Sequence, residues 1–322
     1  MFTAAELEDA ARLVHRQAGA TPAIHWPTLA ARAGAEVWIK HENHNPTGAF
    51  KVRGGITFID WLIRTAPDSP GIITATRGNH GQSQARAATA AGLRAVIYVP
   101  RGNSVEKNAA MRAYGGEVIE HGADFDEARQ EVFRVAEEEG LTFVPPFHTE
   151  LVRGVATYAW ELLSAHPDLD TLYVPIGCGS GIAGCITARD ALKHPAKIVA
   201  VVAEAAQTSR LSVEAGHPVE TNTAQTFADG MAVRVPVPEA LEIYQEGAER
   251  FVTVTDDEIA DAVRAYYTDT HNLAEGAGAA PLAALLQEKD RMAGRKVAPI
   301  LCGGNIDTAW FQTILSGGTP TA

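Results

Sequence analysis

The sequence predicts an α/β fold made of two lobes, each an open twisted parallel sheet flanked by helices. Three observations predict it. Short apolar runs, such as Gly71-Ile72-Ile73-Thr74-Ala75-Thr76 and Ala95-Val96-Ile97-Tyr98-Val99-Pro100, alternate with longer helical stretches, which is the pattern of βαβ units. Four polar or glycine-rich loops each follow an apolar strand, where open α/β sheets gather their ligands. Hydrophobic residues make up 46% of the 322, enough for a sizeable core.

Taken in order, residues 5–17 read as an amphipathic helix and Thr21-Pro22 as a turn. A strand at 36–40 leads through a polar turn with Pro46 and Gly48 into a helix over 50–66. A strand at 71–76, an Ala-rich helix from Asn79 to Ala91, a strand at 95–100 and a helix over 105–114 follow. Asn79 suits a helix N-cap. Glu117–Glu120 is a strand, Asp124 caps a helix that runs to Glu139, and 141–144 is again a strand. Further on come a strand at 172–176, a Gly-rich turn, a helix over 182–192 and a strand at 198–203. The stretch 205–250 is less regular. Phe251–Val254 is a strand, Asp256 caps the helix after it, 277–288 is helical and 297–301 is the last strand.

A net charge of −12 argues against nucleic acid or an anionic membrane as partner. Nothing approaches the length of a membrane span, and the first residues do not read as a secretory signal. Cys178, Cys185 and Cys302 show no metal-ligand spacing, so the reading is a reduced, cytoplasmic protein with no metal site.

The chemistry centres on Lys51. A lysine at the mouth of a helix beside an aromatic ring, here Phe50, is held partly desolvated, which lowers its pKa and makes its amine a nucleophile toward aldehydes. Read alone it is an ordinary first-turn lysine, so the other loops decide. Thr76-Arg77-Gly78-Asn79-His80 brings backbone close to a ligand through its glycines. Gly177-Cys178-Gly179-Ser180-Gly181 makes a nest of N–H groups at a helix start, a phosphate site. Gly179, Gly181 and Gly184 also match the G-x-G-x-x-G nucleotide fingerprint, a weak signal alone in which Glu204 could serve as the acidic partner, and a plain tight turn is the other reading. Cys302-Gly303-Gly304-Asn305 is the fourth loop. A strand-end lysine with a phosphate nest fits an aldehyde cofactor that carries a phosphate, and pyridoxal 5′-phosphate is such a cofactor.

The segment Lys40 to Gly55 resembles the pattern K-x-E-x-x-Q-x-T-G-S-F-K-x-R-G-A of the fold-type-II pyridoxal-phosphate enzymes, in the threonine/serine dehydratase and serine racemase branch. The loop at Thr76–Gln82 is similar to S-S-G-N-H-G-Q, the loop at Gly177–Gly181 to the tetraglycine phosphate loop, Thr226–Gly230 to T-I-A-D-G, Glu275 to the glutamate of E-P-S-G, and Cys302–Asp307 to S-G-G-N-V-D. The resemblance covers nearly the whole chain. It implies a tryptophan synthase β-like fold, with 1–50 and 150–322 as a large cofactor-binding domain and 51–149 as a small substrate-side domain. A short form without a C-terminal regulatory domain, as in the catabolic members, and a homodimer are expected.

The roles it implies are these. Lys51 binds the cofactor aldehyde as a Schiff base and later moves the α-proton. Phe50 packs beside the ring, Asn79 bonds its 3′-oxygen, and the amides from Gly177 through Cys178, Gly179 and Ser180 to Gly181 hold the phosphate. Glu275 lies near the ring edge and Cys302 faces the pyridine nitrogen. Thr76, Arg77, Gly78, Asn79 and His80 meet the amino-acid substrate.

The departures narrow the activity. Arg77 stands where racemases carry a serine acid/base. Arginine keeps its proton and is a poor base, but it clamps carboxylates. Where some relatives bind a cation between a glutamate matching Glu204 and an aspartate six residues on, this chain has Arg210, a charge able to replace the cation. Cys302 replaces serine, a weaker hydrogen-bond partner. The expected activity is elimination of water from a β-hydroxy-α-amino acid such as L-threonine or L-serine, giving a 2-oxo acid and ammonia. The alternatives are a dehydratase for a more acidic or bulkier substrate such as 3-hydroxyaspartate, a serine racemase-like enzyme, a β-replacement synthase, and, outside enzymes, a non-catalytic amino-acid-binding protein.

Overall fold

The computed structural model describes residues 1–123 and 125–321. In chain order they form α1 (Ala4–Gln17), β1 (Ala23–His25), α2 (Pro27–Ala33), β2 (Glu36–His41), α3 (Lys51–Thr65), β3 (Gly71–Ala75), α4 (Asn79–Ala90), β4 (Arg94–Val99), α5 (Val105–Ala113), β5 (Glu117–Glu120), α6 (Phe125–Glu139), β6 (Thr142–Phe143), α7 (Thr149–Ala165), β7 (Thr171–Pro175), α8 (Ser180–Ala191), β8 (Lys197–Ala203), α9 (Thr208–Ala215), α10 (Pro238–Gly247), β9 (Arg250–Val254), α11 (Asp256–Thr270), α12 (Gly276–Gln287), α13 (Lys289–Met292), β10 (Lys296–Leu301) and α14 (Thr308–Leu315).

Among the described residues the strands make two sheets. A six-stranded sheet runs β1-β2-β10-β7-β8-β9, parallel except for the antiparallel edge pair β1–β2. A four-stranded sheet runs β5-β4-β3-β6 and is parallel throughout. Helices cover both faces of a parallel sheet, so its inner strands are apolar end to end rather than alternating. All five residues of β3 are buried, as are all of β8 after Lys197. The edge strand β5 stays largely exposed and carries a glutamate at each end, which discourages pairing with other chains.

Strand order places the crevices. In the larger sheet the chain moves outward from β7 to β8 and β9, while β10 lies on the other side of β7. The loops after β7 and β10, Gly177–Gly181 and Cys302–Asn305, therefore flank a topological switch point, the ligand crevice of such sheets. The smaller sheet repeats the arrangement. Its switch lies between β3 and β6, beside the loop Thr76–Asn79.

The structure corrects several expectations. Helix α7 fills the interval between the strands at 141–144 and 172–176 and is buried nearly all round, from Leu151 through Ala159 to Leu163. It packs against both α3 and α8. Gly154 permits that approach, since a Cβ there would come within 2.1 Å of the Arg53 carbonyl oxygen. The irregular stretch 205–250 holds α9, α10 and a short 3-10 turn at Asp229–Met231. Thr255, not Asp256, caps α11, in a reciprocal box with Glu258. The Asp256 carboxylate instead accepts from the Thr226 hydroxyl at 2.5 Å and the Phe227 N–H at 3.3 Å. Gly78 is the N-cap residue of α4, and Asn79 sends its side chain elsewhere. The expected cap at Asp124 lies outside the described residues.

Candidate active site

Lys51 is the first residue of α3. The segment before it is stitched to the loop after β10, because Phe50 N–H donates to the Cys302 carbonyl at 2.9 Å and Ala49 bridges Gly303. The Lys51 amine donates to Ser180 Oγ at 2.9 Å and lies 5.1 Å from the centre of the Phe50 ring. Burial lowers its pKa, opposed only in part by Cys178 and Cys302. This is the desolvated amine expected from the sequence.

A buried ionic network fixes the start of α3 from behind. Arg53 is fully buried and bonds Glu42 on both oxygens, at 2.7 and 3.0 Å, and Glu161 of α7 at 2.5 Å. Lys40 of β2 meets the other Glu161 oxygen at 2.5 Å and the Thr21 carbonyl at 2.6 Å. Burial works to raise the Glu161 pKa, but Arg53 and then Lys40 pull it down to about 2. Two cations and two carboxylates thus compensate one another out of water, as buried charges must. Lys40, Glu42 and Arg53 serve to hold Lys51 in place, two residues before Arg53.

The loop after β7 leads into α8. Gly179 has φ +93°, a left-handed conformation that glycine adopts without cost, and no side chain caps the first N–H groups of α8. Those N–H groups and the positive helix end remain available to an anion. Phe50 meets Tyr158 edge-on, with ring centres 6.0 Å apart, and lies beside Gly181.

On the opposite side, Asn79 Nδ2 donates to Glu275 Oε1 at 2.7 Å, while Asn79 Oδ1 accepts from Asn305 Nδ2 at 2.8 Å. Glu275 is 2% exposed, and its Oε2 is buried without a hydrogen-bond partner. Burial, and next the charge of Asp229, push its pKa up to about 7 against the pull of Lys107 and Asn79. Burial and then Glu275 push the Cys302 thiol well above its ordinary value, so it is neutral. Burial, then the Lys51 charge, depress His80 to about 3, so that imidazole is neutral as well.

The structure brings Phe50, Lys51, Asn79, His80, Cys178, Ser180, Glu275 and Cys302 to one crevice. Thr76 Oγ1 accepts from Gly78 N–H at 3.1 Å and shapes the loop. Arg77 is exposed and makes no ion pair or hydrogen bond. Lys107, Asp229 and Asn305 also belong to the crevice. Only the T-F-A-D-G and G-G-N strings marked two of them, and Lys107 carried no signal. Arg210 spends its guanidinium on Glu214 at 2.8 Å and Thr253 at 2.9 Å rather than on Glu204. Among the described residues no three histidines, cysteines or carboxylates gather to hold a metal.

This donor set fits pyridoxal phosphate. It offers a desolvated amine for the aldehyde, an uncapped helix start for the phosphate, and an amide with an orphaned carboxyl oxygen for the ring edge.

Comparison with known proteins agrees. The family described as "Pyridoxal-phosphate dependent enzyme" matches residues 14–303. L-threonine ammonia-lyase of Geobacter sulfurreducens is 35% identical over 98% of this chain and 79% of its own length. The biosynthetic L-threonine dehydratase IlvA of Escherichia coli is 33% identical over 91% of this chain, which spans only 58% of that protein. L-threo-3-hydroxyaspartate ammonia-lyase of Saccharomyces cerevisiae is 31% identical over 98% of this chain and 97% of its own length. Among solved structures, the processed threonine deaminase isoform 2 of Solanum lycopersicum superposes with a TM-score of 0.90 at 29% identity, covering 98% of this chain and 94% of that one.

Proposed function

The chain belongs to the family of pyridoxal-phosphate dependent enzymes, and from that premise we propose that it removes water and then ammonia from a β-hydroxy-α-amino acid, threonine or serine first, to leave a 2-oxo acid. The observation that carries the reading is the Lys51 amine, desolvated and 2.9 Å from Ser180 at the start of α8. Pyridoxal phosphate, when bound, supplies an aldehyde for an amine and a ring that takes up charge from the α-carbon. Lys51 would be the amine for that aldehyde and the base that takes the substrate α-proton. Asn79 and Glu275 would hold the ring of the cofactor, the Gly177–Gly181 amides would hold its phosphate, and the neutral Cys302 thiol would be a poor proton donor to the ring. The loop Thr76–His80 receives the substrate carboxylate.

A second reading concerns the substrate alone. Arg77 is exposed on this loop with no partner of its own, and the yeast relative is named for 3-hydroxyaspartate. A second substrate carboxylate would give the guanidinium that partner. The same arginine, in place of a base opposite Lys51, disfavours racemization.

The two sheets support 51–149 as the small substrate-side domain and 1–50 with 150–322 as the large cofactor-binding one. We place the protein in the cytoplasm as a homodimer. Among the described residues no helix is long and apolar enough to cross a membrane. The test is a screen of threonine, serine and 3-hydroxyaspartate isomers for oxo-acid release by the cofactor-loaded protein. Spectral shifts with amino acids but no oxo acid from any of them would replace the enzyme with a binding protein.

A further inference from the structure

Helix α5 ties the smaller sheet to the larger one beside the crevice. Ser104 Oγ donates to Asp307 at 2.5 Å, Thr308 N–H donates to Glu106 at 3.1 Å, and the Lys107 ammonium donates to Asp229. The last contact differs from the others in burial and charge. Lys107 is only 6% exposed. Burial works against its charge, but Asp229, then Glu275, hold the proton more firmly than on an ordinary lysine.

The neighbours of this pair are the site loops. The Lys107 stem runs along the Thr76–Asn79 loop, so closely that a Cβ on Gly78 would lie 2.8 Å from Lys107 Cδ. Asp229 opens the 3-10 turn Asp229–Met231. In that turn the Gly230 carbonyl abuts the phosphate loop, since a Cβ on Gly177 would stand 2.1 Å from its oxygen. One ion pair therefore spans the crevice, from the loop that presents Asn79 to the loop at the start of α8.

We propose that Lys107 and Asp229 are positioning residues whose ion pair clamps the Thr76–Asn79 loop onto the larger sheet and so sets the reach of Asn79 to Glu275. The kinetic consequence rests on the elimination reading given above, while the structural one does not. Without the ammonium, the Asp229 and Glu275 carboxyls would face each other with no cation between them, and the Asn79 loop would lose the stem beneath it.

The experiment compares the wild type with Lys107→Met, which keeps much of the stem and loses the charge, and with Asp229→Asn, a near-isosteric second variant should the first not fold. Amide hydrogen exchange over 76–82 and 226–231 should rise by about tenfold or more, with β7 and β8 unchanged. The kcat/KM for oxo-acid release should fall on the order of 10²-fold, the scale of a misplaced positioning group. Lys107→Arg, which keeps the charge, should restore both toward wild type. Unchanged exchange in the two segments, a uniform rise across every segment, or raised exchange with unaltered kcat/KM would each overturn the proposal. A wild type that releases no oxo acid would refute the reaction instead, and the exchange comparison would still judge the clamp.

Discussion

The Lys51 amine lies 2.9 Å from the hydroxyl of Ser180, the residue that opens α8, although 129 positions separate them in the chain. The contact joins the mouths of two helices, one offering an amine and the other uncapped N–H groups. Lys51→Ala should therefore abolish oxo-acid release and the cofactor's absorbance band while leaving the circular dichroism spectrum intact. Turnover by this variant at the wild-type rate would sink the assignment of the site.

The network behind Lys51 sets a second expectation. Glu161→Gln leaves Arg53 and Lys40 short of one negative charge in a dry setting, a loss of about 3–5 kcal/mol for a broken buried pair. The Glu161 pKa falls from 4.5 to about 2 on folding, so its contribution is present above pH 4.5 and is lost as the pH falls toward 2. Denaturant unfolding of both proteins between neutral and acid pH measures this. A gap that did not narrow in acid would contradict it.

Glu275 has the opposite sign. Its pKa rises from 4.5 to about 7 on folding, so its contribution is present below pH 4.5 and is lost as the pH climbs through 7. Glu275→Gln should accordingly be more stable than the wild type at pH 8 and lose that advantage at pH 5. Thermal unfolding at the two values reads the difference, and parallel curves would refute the raised carboxyl.

Chelation should leave activity unchanged. A divalent ion near Arg210 would meet a fixed positive charge, a repulsion on the order of a few kcal/mol at intermediate dielectric. The guanidinium is anchored on Glu214 and Thr253. Activity that vanished with a chelator and returned with magnesium would contradict this.

Arg77→Ser should raise KM for the preferred substrate by about tenfold, the scale of one lost charge-assisted hydrogen bond, and open a slow racemization. Wild-type enzyme in deuterium oxide should put no deuterium into inverted, unreacted substrate. An unaltered KM would leave Arg77 a surface residue.

The loops of the candidate site were legible where their pattern was local. Lys51 beside Phe50, the glycines from 177 to 181, and Asn79 between two glycines are strings that a strand-end loop needs, and the structure gathers them. What joins them was not legible. Asn79 with Glu275 and Lys107 with Asp229 are pairs more than a hundred residues apart, and no local pattern names a partner. The Asn79 side chain reads as a cap until Glu275 is seen to accept its hydrogen bond. The cap of α11 is local and was legible as well, since Thr255 with Glu258 three residues on is the reciprocal box and Asp256 suits the first turn.

The placement of β2 beside β10 bears on how the chain is made. During synthesis β3 to β6, all within residues 71–143, can pair as soon as they emerge. The strand that leads to Lys51 has only the short β1 beside it until Lys296–Leu301 leave the ribosome. Contacts this distant in sequence form late. The strand leading to the nucleophile is thus among the last to be locked, and the site cannot close on an aldehyde before β10 exists. Nascent chains truncated ahead of Lys296 should protect the four-stranded sheet from protease while the segment around Lys51 is still cut.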